Sequence, residues 1–139
     1  MKVLTAVLVC AFVLVTWALS AQTKDNKLNR KWMLVEYPGF TKDELTELKA
    51  YMDLSGKDNR GSANMGCNNI MFGIKTKRCN KIEFTAPGAT MMYCEDRMKL
   101  EDEFGKLLPS VKKYKIEGHY LMLKAKNGTK MKFVAEDWD

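Results

Sequence analysis

Apolar and polar residues alternate through the middle of this chain, and the period lengthens only towards its last third. Ile70, Phe72 and Ile74 occupy every second position, as do Ile82 and Phe84, which is the spacing of strands with one buried face. An earlier apolar run, from Arg30 to Tyr37, stops at Pro38 and Gly39 and predicts a first strand anchored by Trp32. Thr41 and Glu44 have the spacing of a capping box, so a short helical turn follows. Ala50, Met52 and Leu54 then alternate with Tyr51 and Asp53 as a second strand, and Ser55 to Gly61 reads as a loop. Beyond Cys94 the period becomes helical. Leu100, Phe104, Leu107, Leu108 and Val111 form one stripe, predicting a helix from Asp96 to Ser110 with Asp96 as N-cap and Pro109 near its end. Two or three strands complete the chain: 113–117, 120–126 and 129–134, the last two joined by Asn127-Gly128 as a two-residue hairpin turn. Met131 and Phe133 are assigned to one face there, Lys130 and Lys132 to the other.

Residues 1–21 change the picture, because they do not belong to this pattern. Lys2 precedes an apolar run from Val3 to Leu19, and the small residues Ala18, Ser20 and Ala21 follow, the order of a signal peptide cleaved after Ser20 or Ala21. A membrane anchor is the alternative, since the run approaches the lower limit of about 17 residues for a spanning helix. Cys10 is preceded by Val9 rather than a small residue, which argues against lipidation. The remaining segment, 22–139, is a comfortable length for one domain and needs no metal to hold its core.

The chain carries a net charge of +6. Much of the excess sits in two short runs, Lys75 to Arg78 and Lys112 to Lys115, which read as solvated hairpin ends. Aromatic residues are not interleaved with them, so nucleic acid is not an expected partner. The lone histidine, His119, lies beside Gly118 in an expected turn, and no nucleophile elbow, phosphate loop, HExxH or CxxC accompanies it. No catalytic residue, cofactor or metal ligand is assigned on these grounds, and the expected protein is a non-enzymatic monomer. Met65, Met91 and Met92 near Cys67 and Cys94 could in principle make a soft Cu(I) site, but methionines in strands are more often core filler.

NMGCNN at Asn64 to Asn69, IEF at Ile82 to Phe84, ATMMYC at Ala89 to Cys94 and the helix-to-hairpin segment from Leu100 to Phe133 resemble the META domain, or HslJ-like, family. The motif residues are Gly66, Cys67, Asn68, Thr90, Met92, Cys94 and Glu101. Where some relatives carry an arginine after the motif threonine, this chain has Met91. The resemblance implies a mainly β fold, an open antiparallel β-barrel of about eight short strands with one packed α-helix. It also implies an exported, periplasmic, envelope-associated or secreted protein with a stress-related accessory role, heat-inducible and linked to novobiocin tolerance in one bacterial branch. Two other functions stay open: a carrier of a small apolar ligand or lipid in the barrel, and a thiol-redox or Cu(I) protein. A partner in the envelope, protein or lipid, fits the first reading.

Two residues carry specific expectations. Glu101 lies on the apolar stripe, three residues before Phe104. The rarity of fully buried glutamate favours a wet carboxylate at the stripe's edge, whereas the resemblance favours a buried one held by backbone donors or a lysine. Cys67 and Cys94 bear the two motifs and flank a compact meander in an oxidising compartment, so they are the disulfide candidates; two buried thiols packed as small hydrophobes are the alternative. Cys79 sits at the far hairpin tip, on the order of 20 Å away for strands of about six residues, and is expected to be free.

Overall fold

The computed structural model describes residues 27–138; the expected signal segment and Cys10 lie outside them. Eight strands run in chain order around a closed antiparallel barrel: β1 Lys31–Glu36, β2 Tyr51–Asp53, β3 Arg60–Asn64, β4 Asn69–Lys77, β5 Lys81–Ala89, β6 Val111–Glu117, β7 Tyr120–Ala125 and β8 Lys130–Ala135. Helix α1, Lys42–Leu48, connects β1 to β2, and helix α2, Met98–Leu107, connects β5 to β6.

The expected barrel is therefore present, but it is closed rather than open. β8 returns to β1 with Trp32 opposite Ala135 and Leu34 opposite Phe133. Alternation within a strand says which face is buried and not which strand lies beside it, so closure had no local signal. The narrowest seam is between β5 and β6, which share one register pair, Lys81 with Lys113.

The interior is a packed core. Trp32, Met52, Phe133, Leu121, Leu123, Met131 and Ile82 are fully enclosed, joined by Phe72, Phe84 and Ile74. Trp32 donates its indole N–H to the Leu28 carbonyl at 3.1 Å, so its burial leaves no polar atom stranded. The α2 stripe adds Leu100 and Phe104, and Leu108 beyond it, to the same core, as its periodicity requires.

Four local expectations are corrected. β3 begins at Arg60 inside the stretch read as a loop; its sequence, RGSAN, lacks β-branched and aromatic residues. Gly61 is needed there, because a Cβ would lie 2.6 Å from the Phe72 ring and 2.9 Å from the Asp53 carbonyl oxygen. The helix is shorter than 96–110: α2 ends at Leu107 and a 3-10 turn, Leu108–Ser110, absorbs Pro109. Asp96 does not cap it; Asp96 has φ 62, and the boundary residue is Arg97, with no side-chain cap bond. Finally, the Asn127-Gly128 turn is longer than two residues. Gly128 donates to the Ala125 carbonyl, Ala125 to that of Thr129, and only Gly128 has positive φ, the arrangement of a three-residue loop with a bulge.

Candidate functional site

The motif residues, separated in sequence, meet at one place. After β3 the chain turns through Met65–Asn68 before entering β4, and the turn is fixed locally. Asn64 Oδ1 accepts from the Gly66 N–H at 2.9 Å, an Asx turn, while Gly66 has φ 118 and presses against α1, where a Cβ would come within 2.7 Å of Leu48. Glycine answers both demands, positive φ and close approach. The turn aims the Asn68 side chain inward, and Asn68 is buried.

Asn68 is the hub. Its Oδ1 accepts from the Met92 N–H at 2.7 Å and the Thr90 hydroxyl at 2.9 Å. Its Nδ2 donates to the Met92 carbonyl at 2.9 Å and to Glu101 Oε1 at 2.8 Å. Two donors and two acceptors are the full capacity of an amide, so Asn68 is saturated by the fold. The network also fixes which way the amide points: the opposite orientation would set NH₂ against the Met92 N–H and oxygen against the Glu101 carboxylate.

Glu101 is buried, and its second oxygen accepts from the Asn68 backbone N–H at 2.6 Å. The expectation of a wet edge is thus overturned in favour of a carboxylate held by a backbone donor and an amide; no lysine takes part in these bonds. A carboxylate in this position ties α2 to the turn before β4 through two charge-assisted bonds.

Thr90 serves twice, donating to Asn68 and accepting from the Asn69 N–H at 3.2 Å. Met92 belongs to the motif through its peptide group: its side chain is exposed, as are Met91 and Tyr93. Met91, where the family resemblance leads one to expect an arginine in some relatives, is 97% exposed and lies outside these bonds. Cys67 and Cys94 form a disulfide with Cα atoms 5.9 Å apart, and Cys79 is free and exposed in the hairpin tip, as expected. The bridge removes both motif thiolates from the copper alternative, and Met65 is buried while Met91 faces solvent. Among the described residues no cluster of three or more His, Cys, Asp or Glu side chains is arranged to hold a metal. His119 lies elsewhere, its ring stacked on Trp138 at 3.4 Å.

Asn64 was not singled out from the sequence, although Asn-x-Gly is a recognisable Asx-turn spacing. Chemically, the assembly is a clip: a disulfide, a saturated amide and a buried carboxylate hold the 90–94 segment, the 65–68 turn and α2 together.

The META domain family model matches residues 25–138. No curated protein is significantly similar in sequence. Solved structures are similar in fold, among them the following three. The NMR structure of a protein from Burkholderia xenovorans has 20% identity and a TM-score of 0.63, covering 78% of this chain and 82% of that one. A second NMR structure has 14% identity and a TM-score of 0.63, covering 80% and 92%. The crystal structure of a DUF4847-family protein from Bacteroides vulgatus ATCC 8482 has 11% identity and a TM-score of 0.57, covering 81% and 96%. At these identities the likeness is one of fold.

Proposed function

The chain belongs to the META domain family, and from that premise we propose that it acts as an exported, non-enzymatic envelope or secreted protein with a stress-related accessory role, its motif serving as a structural clip. The observation that carries this reading is the saturation of Asn68. Every hydrogen-bonding position of its side chain, and an oxygen each of Glu101 toward the Asn68 amide and backbone, is spent inside the fold. A group that acts on substrate needs at least one free valence aimed at solvent or a cleft, and the motif offers none through this residue. The disulfide supports passage into an oxidising compartment. The packed interior supports the accessory reading over a carrier, because large side chains occupy the volume a ligand would take in a barrel of eight strands.

Export is tested by isolating the protein from outside the cytoplasm, sequencing its N-terminus and counting thiols without reduction. The expected result is a start at Ala21 or Gln22 and one reactive thiol, Cys79. An intact Met1 with two thiols, Cys10 and Cys79, overturns the signal peptide.

A further inference from the structure

The two basic runs, distant in sequence, are brought into a single line by the strand register. Lys77 on β4 lies opposite Lys81 on β5, Lys81 opposite Lys113 on β6, Lys113 opposite Lys124 on β7, and Lys124 opposite Lys130 on β8. Register partners share a face, and all five lysines are exposed. Five ammonium groups therefore cross five consecutive strands in one outward row, on the order of 20 Å long at about 4.8 Å per strand.

Only Lys77 has an acidic partner, Glu83 at 3.0 Å. Among the described residues Lys81, Lys113, Lys124 and Lys130 make no ion pair, while Lys115 and Lys132, flanking the row, are neutralised by Glu117 and Glu36. Like charges set directly opposite one another destabilise a sheet. A recess of about 590 Å³ runs beside the β6 to β8 part of the row, lined by Asn80, Lys113, Lys115, Glu117, Lys124 and Lys130 among others, while Lys77 and Lys81 lie outside it.

We propose that this lysine row is a binding site for a linear acidic polysaccharide, one carrying a carboxylate or sulfate on successive sugars, laid across β4 to β8. A line of evenly spaced cations matches a polymer of evenly spaced anions. The other polyanions fit less well. A single-stranded nucleic acid wants aromatic platforms interleaved with the cations, and the register partners that make up the row are all lysines. Tyr93 lies in the bridged segment, while Tyr120 and Trp138 line a separate recess at the β8 end, reached by Lys130 alone of the row. A lipid surface is flat, whereas the row bends with the outside of a closed barrel. The inference goes beyond the export reading and does not rest on it, because the row is a property of the barrel wherever the protein is located.

The test compares two quadruple variants of equal charge. One replaces Lys81, Lys113, Lys124 and Lys130 by glutamine; the other replaces Lys42, Lys57, Lys99 and Lys106. Affinity for polygalacturonate and for heparin, the carboxylate and sulfate probes, is measured by calorimetry over a range of salt. The row variant is expected to lose at least tenfold in affinity, with a flatter dependence on salt, and the control variant less than threefold. Relief of repulsion should also raise the melting temperature of the row variant at low salt, a readout that shows the variant folds. Equal losses in both variants would reduce the site to net charge and overturn the proposal. So would tighter binding to single-stranded DNA or to phosphatidylserine vesicles than to either polysaccharide, or no binding to either probe at physiological salt.

Discussion

Asn68 and Glu101 meet over a few ångströms, and their chemistry is unforgiving because both are buried. Asn68→Asp nearly preserves shape yet replaces the donor facing Glu101 with a second carboxylate oxygen, at a place where Nδ2 now lies 2.8 Å from Oε1. Two carboxylates so close cannot both ionise cheaply, which raises the proton affinity of the pair. The folded variant then binds a proton more tightly than the unfolded chain, so its stability increases as pH falls. Asn68→Asp should lose about 3 kcal/mol or more at pH 7 and recover part of it near pH 5, seen as a shift of the urea midpoint. A variant equally stable at both pH values would show that the two carboxyls do not meet. Glu101→Ala should likewise cost about 1–3 kcal/mol, against about 0.5 or less for the exposed neighbour Asp102→Ala. The place of Glu101 on the apolar stripe was legible in the sequence, but its partners were not. They come from a turn 33 residues away, and only the fold specifies them.

Elements with strong local chemistry were readable, and those shaped by neighbours were not. The capping box at α1 is present as its spacing implies: Thr41 and Glu44 bond reciprocally, and the next strand follows. The backbone N–H of Thr41, and then its hydroxyl, hold the Glu44 carboxyl below the ordinary carboxylate range. The ionised form is thus favoured by the folded helix. Its contribution is complete above the unfolded value, near 4.3, and is lost as pH falls through the lower folded value. Thr41→Ala removes the hydroxyl but keeps the N–H, so the Glu44 carboxyl should titrate part of the way back towards free glutamate, measured by carboxyl-carbon NMR. An unmoved titration would mean the backbone donor alone sets it. β3 stands at the other extreme: glycine and asparagine enter a strand because β2 and β4 on either side supply its hydrogen bonds. The lysine row was hidden in the same way, since each lysine is an ordinary exposed residue until register aligns it with the next.

For the whole molecule the disulfide restrains the unfolded chain more than it shapes the folded one. Bridging residues 27 apart removes about 3.5 kcal/mol of loop-closure entropy from the unfolded ensemble. Reduction should lower the unfolding free energy by about that amount while the far-ultraviolet spectrum below the transition stays unchanged, because the Asn68 bonds to Met92 hold the same two segments together. A collapse of the β signal on reduction alone would make the bridge a condition of folding. The closing contact of the barrel has a different consequence, one of timing. β1 pairs with β8, the first strand with the last, Trp32 against Ala135. On the ribosome β1 is made long before its partner, so its open edge and the face of Trp32 and Leu34 wait for almost the entire chain to emerge. A product that stopped short of Lys130 would carry two unpaired edges, on β1 and β7, each a template for joining another chain. A chain lacking β8 would thus be prone to pair with other copies, and a barrel closed by β8 leaves neither of these edges open.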